Sequence, residues 1–151
     1  MKIVVIGGTA VVILTGGFLL VNGLFMLIAP MKWYYTVPGV TDTGFYNQHF
    51  IRDIGLVYLF LSAAVGIGLF RANLRLALWA TAAAWLSAHA LFHFWEVAVG
   101  ICAPSAIPRD FPAVTLPALI SIAATLWAWR MRRPRQVVSQ SIVHTRKETM
   151  I

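Results

Sequence analysis

Imidazoles and carboxylates recur at helical spacing in two short stretches of this chain. In YNQHFIRDIG, residues 46–55, His49 and Asp53 stand four apart with Arg52 between them. In HALFHFWEV, residues 89–97, His89, His93 and Glu96 follow at intervals of four and three. Residues three or four apart share one face of an α-helix, so each stretch predicts a polar stripe. Neutral imidazoles and carboxylates are common ligands of zinc, iron, manganese and copper, and two opposed imidazoles can hold a haem. The candidate metal or haem ligands are therefore His49, Asp53, His89, His93 and Glu96, with Arg52 as their charge partner. The same residues also suit a structural clamp, in which Arg52 pairs with Glu96 or Asp53 and the imidazoles donate to carboxylates.

The elements that must position these groups follow from composition. Of 151 residues, 60% are hydrophobic and 11% charged, and the mean hydropathy of +0.78 exceeds that of a water-soluble domain. The apolar residues fall in four blocks, Ile3 to Ala29, about Phe50 to Phe70, Leu76 to Gly100, and Ala113 to Trp129. Each reaches or approaches the roughly 20 residues needed to cross a hydrocarbon core of about 30 Å. Short connections, an aromatic loop over 31–48, a turn over 71–75 and a proline-marked loop over 101–112, predict an antiparallel four-helix bundle. The first block is too long for a signal peptide's apolar region and has no small-x-small cleavage site, so it reads as an uncleaved span. Residues 1–134 form the transmembrane domain, and the basic stretch 135–151 reads as a disordered tail.

Basic residues set the orientation. With four spans, Lys2, Arg71, Arg75, Arg130, Arg132, Arg133, Arg135, Arg146 and Lys147 share one side, against Lys32, Arg52 and Arg109 on the other. Short loops rich in Lys and Arg stay cytoplasmic, so both termini are expected inside and the aromatic loop outside. At 1.5 Å per residue, Asp53 lies roughly 8 Å below the outer end of its span, and His93 and Glu96 roughly 10 and 6 Å below theirs. The two stripes are thus expected to face each other at one level, with Asn22 of the first span near the same layer. Charged groups there must turn inward and pair, since exposure to lipid near the bilayer centre costs about 2.5–3.5 kcal/mol each. Asn47 is placed to cap the second span, and Trp85, one turn below His89, to wall the pocket.

Other residue patterns narrow the function. Cys102 is the only cysteine, which excludes an internal disulfide and a Cys-x-x-Cys redox pair. The histidine stripe reads His-x-x-Glu and occurs once, so the duplicated Glu-x-x-His set of di-iron bundles is missing. The net charge of +7 fits the topology and comes with no nucleic-acid reader motif. The segment VPGVTDTGFYNQHFIRDIGLVYL, residues 37–59, followed by HALFHFWEV, resembles an uncharacterised group of small bacterial four-span membrane proteins. In size and layout the chain is also similar to the DoxX-like four-helix group. That resemblance implies an integral inner-membrane protein.

Together these features predict an all-α, multi-pass inner-membrane protein whose outward-side pocket gathers Asn22, His49, Arg52, Asp53, His89, His93 and Glu96. One reading is an accessory protein in which the pocket is a structural network or binds a small ligand. The alternative is a metal- or haem-binding redox component. The expected partners are the lipid bilayer and either another membrane protein or a second copy of the chain.

Overall fold

The computed structural model describes residues 2–131, with side chains from residue 8 onward. The tail over 135–151 lies outside the described residues. Described elements are α1 (Lys2–Ile28), α2 (Pro30–Thr36), a 3-10 turn (Val40–Asp42), α3 (Gln48–Phe70), α4 (Ala72–Ala98), α5 (Ala106–Asp110), a π-helical turn (Phe111–Thr115) and α6 (Leu116–Arg130). Among the described residues there is no strand.

Among the described residues three stretches are long and apolar enough to cross a membrane: Gly8–Ile28, Gln48–Phe70 and Ala106–Arg130. The last corrects the expected loop over 101–112, because the helix begins at Ala106 and runs through Pro108 and Pro112. Pro112 cannot donate to the preceding turn, and its ring crowds the carbonyl there. The chain widens at this point into the π-helical turn and resumes as α6, with Pro117 in its first turn. The aromatic loop likewise holds α2, which starts on Pro30, whose fixed φ suits a first helical position.

The long helices pack in a ring, α1 on α3, α3 on α4, α4 on α6 and α6 on α1. Neighbours run in opposite directions. On α1 and α3, Gly16 meets Val65 while Gly23 meets Gly55 and Tyr58, and along α4, Trp79 stacks on Trp127 of α6 while His93 reaches Asp110 of α5, before α6 in the same span. A single residue, Arg71, links α3 to α4. Arg75 closes that corner by donating from Nε to the Gly68 carbonyl at 2.7 Å and from Nη2 to that of Leu69 at 3.0 Å, capping the exposed carbonyls of α3. Its guanidinium also lies 5.4 Å from the centre of the Trp79 ring.

Small residues and interlocked aromatics set the packing. Leu19 is fully enclosed, and Trp79, Ala82, Leu86, Ala90, Ala118 and Ala128 line the interior around it. Trp79 donates to the Val65 carbonyl at 3.1 Å, which satisfies an indole that packing has removed from solvent. Outward faces are apolar instead: Leu14, Val21, Ile28, Phe60 and Leu91 are all exposed, as suits helices bathed in hydrocarbon rather than water.

The tightest seam is between α1 and α3, where a Cβ on Gly23 would stand 2.8 Å from the Gly55 carbonyl oxygen. Gly23→Ala should therefore force the two backbones apart and lower stability in detergent by about 1–3 kcal/mol, as overpacked cores do. Gly17→Ala, where a Cβ meets nothing within 4 Å, should leave the unfolding midpoint unchanged. Equal midpoints for the two variants would contradict the seam.

Candidate functional site

The end of the ring where α1 finishes and α3 begins collects the described carboxylates, Asp42, Asp53, Glu96 and Asp110. Its centre is Arg109, near the end of α5. Nη1 donates to Asp42 Oδ2 at 2.9 Å, and Nε donates to Asp110 Oδ1 at 2.8 Å, with a longer contact of 3.4 Å from Nη2 to Asp110 Oδ2. One guanidinium thus fastens the loop after α2 to the start of the last span. Gly39 makes room for it. Gly39 has φ +83, in the left-handed region, and a Cβ there would collide with the Arg109 guanidinium.

Asp110 is the more enclosed of the two acids, with 16% of its side chain exposed, and its Oδ2 also lies 3.3 Å from His93 Nδ1. Below His93 the rings continue inward. His89 meets His93 edge to face at 4.8 Å, stacks on Trp85 at 5.1 Å between ring centres, and faces the edge of Tyr58 on α3 at 6.4 Å. A column of ionisable and aromatic groups therefore descends from Arg109 through Asp110, His93 and His89 into the interior. A crevice beside it, lined by His93, Phe94, Asp110, Val114 and Thr115, has room for about one water.

The expected meeting of the two polar stripes does not occur. His49 and Asp53 pair with each other, Nε2 to Oδ2 at 3.3 Å, with 88% and 56% of their side chains exposed. A contact between neighbours on one helix turn needs no partner across the ring, and water solvates the rest. Arg52 is exposed, and among the described residues it forms no ion pair with Glu96 or Asp53. Asn22 is used elsewhere, accepting from Trp33 Nε1 at 2.8 Å to tie α1 to α2. Glu96 is 8% exposed, and its carbonyl accepts from the N–H groups of Ile101 and Cys102 at 2.9 and 3.2 Å, turning the chain out of α4. The predicted set thus falls into two separate pairs, His49 with Asp53 and His89 with His93, and the acid that meets His93 is Asp110.

This geometry gives the metal and haem reading no support. Among the described residues no three His, Cys, Asp or Glu side chains converge as a metal's ligands would. His49 belongs to the exposed pair on α3 and the other two imidazoles to the column on α4, so His49, Asp53, His89, His93 and Glu96 form no common ligand set. Two local expectations do match the structure. Asn47 Oδ1 accepts from the Phe50 N–H at 3.1 Å as the cap of α3, and Trp85 stacks on His89.

Arg109, Asp110 and Asp42 are the residues that sequence reasoning missed. Arg109 and Asp110 are adjacent, but their partners lie far away along the chain, 67 residues for Asp42 and 17 for His93, and no local spacing marks such pairs. The usable signal was an Arg-Asp dipeptide set between prolines just before an apolar block. Cys102, buried at this same end, sits outside the spans. Burial first, then the charge of Glu96, pushes its thiol above the ordinary range, with Asp110 and Asp42 adding to this and Arg109 opposing it.

Comparisons with protein-family models, curated proteins and solved structures give no match. Residue roles therefore rest on this geometry, which separates two similar-looking acids. Asp110→Asn should lower stability in detergent by about 2 kcal/mol, because it weakens hydrogen bonds to one charged group and the contact to His93. Asp53→Asn, at the exposed pair, should change it by less than about 0.5 kcal/mol. Thermal unfolding followed by tryptophan emission reads both, and a larger loss at Asp53 would contradict the assignment.

Proposed function

We propose that this chain is a four-span inner-membrane protein with both termini in the cytoplasm, acting as an accessory membrane component and not as an enzyme. Support for the fourth span comes from connectivity. α4 takes the chain from the end of α3 to the start of the span Ala106–Arg130 and packs against both, so it must traverse the same thickness. Its 27 residues extend about 40 Å at 1.5 Å per residue, more than a hydrocarbon core of about 30 Å. Its polar groups have uses within the protein: Arg75 caps α3, His89 stacks on Trp85, and His93 meets Asp110.

The observation that carries the accessory reading is the self-pairing of the outward polar end. Arg109 is engaged by Asp42 and Asp110, Asp110 also by His93, and the crevice beside them has room for about one water. Groups so engaged hold a loop and two helices in register, and a substrate would need both free groups and space. The apolar flanks remain available to lipid and to another membrane protein, the partner class this reading implies.

Two arms of one experiment test it. In a Cys102→Ser background, a membrane-impermeant maleimide added to intact spheroplasts should label Thr41→Cys, whereas Asn73→Cys should react only after lysis. Blue-native electrophoresis of the tagged chain, extracted from its own membranes in mild detergent, should show a complex with a second membrane protein. Labelling of Asn73→Cys in intact spheroplasts contradicts the topology, and migration as the chain alone contradicts the accessory role.

A further inference from the structure

The end opposite the clamp has a different chemistry. There α3 hands over to α4 at Arg71, Arg75 follows one turn later, and α6 finishes at Arg130. The described carboxylates all stand at the other end, so these guanidiniums have no acid to pair with among the described residues. Arg75 is turned onto the α3 carbonyls and Trp79, while Arg71 and Arg130 are exposed.

What adjoins those two arginines is apolar and equally open. Phe70, next to Arg71, is 87% exposed, and Trp129, next to Arg130, is 60% exposed. Leu74, Leu126 and Met131, near the same helix ends, are exposed as well. On two separate helix ends a guanidinium thus rises directly from a large exposed apolar or aromatic side chain. A nucleic acid or an acidic soluble protein would bury the guanidiniums and leave those apolar side chains in water. A phospholipid leaflet satisfies both at once, with acyl chains against the apolar groups and phosphate oxygens accepting from the arginines. Arginine suits this task because its planar fork can donate two parallel hydrogen bonds to a phosphate. In sequence, Arg132, Arg133 and Arg135 follow directly and add charge of the same sign.

From this juxtaposition we infer that the Arg71, Arg75 and Arg130 end binds anionic glycerophospholipid headgroups in preference to zwitterionic ones. Zwitterionic headgroups carry the phosphate but cancel its charge with an ammonium, so guanidiniums with no acid beside them among the described residues select for the anionic class. This inference rests on the membrane reading above but not on which end faces the cytoplasm.

The test is native mass spectrometry of the full chain in detergent, titrated with dioleoylphosphatidylglycerol or with dioleoylphosphatidylcholine. Phosphatidylglycerol should be retained preferentially, and less so as salt rises. Arg71→Gln combined with Arg130→Gln should cut its retention about twenty-fold, roughly five-fold for each guanidinium. The lysine counterparts, which keep the charge and control for loss of fold, should retain most of the binding. Arg52→Gln, exposed at the opposite end, should change nothing. Equal retention of the two lipids, an equal loss in the Arg52 variant, or displacement of phosphatidylglycerol by a short DNA duplex overturns the inference. A chain that stays monodisperse without detergent and takes up neither lipid overturns the membrane reading itself.

Discussion

An ionised side chain close to hydrocarbon needs partners that meet its charge, and at Arg109 those partners are carboxylates. The guanidinium cannot lose its proton, so its position fixes where carboxylates must stand. Asp42 arrives from the loop after α2 and Asp110 from the next residue, and Asp110 in turn holds His93 of α4. Three otherwise separate pieces of this end are thereby referred to one group. The left-handed Gly39 and the π-helical turn after Asp110 are local backbone adjustments beside that group, one making room for it and the other carrying the chain past Pro112.

The two ends of the molecule handle charge in opposite ways. At the clamp, acids and bases are spent on one another and the remaining space is water-sized. At the other end the arginines have no acid beside them among the described residues, and Arg75 is occupied by main-chain carbonyls and an indole face. Between the ends the helices approach through small residues and tryptophans, with Gly23 on Gly55 and Trp79 packed on Gly68 and Trp127. Polar side chains in this middle layer turn back on the backbone: Thr15 donates to the Val11 carbonyl, Ser62 to that of Gly16 and Thr125 to that of Ser121.

How much of this was legible in the sequence depended on distance along the chain. The long apolar helices, the cap at Asn47 and the stacking of Trp85 under His89 follow from composition and from intervals of three or four residues, and they match. His49 with Asp53 is also a four-residue interval, but its solvation could not be read from spacing, and it proved to be an exposed pair. The block Leu76 to Gly100 was expected to span and is helical in α4, but its tryptophans, histidines and Glu96 dilute the apolar run, and it is not among the three described stretches apolar enough to cross a membrane; what the structure adds is its packing between α3 and α6. Prolines suggested a loop where a helix widens into a π turn, because helix termination and local rewinding are alternative answers to one missing donor. The Arg109 clamp was out of reach, since its partners are joined only once the ring has closed.

The central claim is that the polar end around Arg109 is a clamp whose groups act through one another. A double-mutant cycle on Asp42 and Arg109, read as unfolding free energy in detergent, tests it most directly. Asp42→Asn and Arg109→Gln should each destabilise, and the double variant should lose less than the sum of the two, with a coupling of about 1 kcal/mol for a half-exposed charged pair. Strict additivity would mean that Arg109 and Asp42 are neighbours without a shared role, and the clamp would be contradicted.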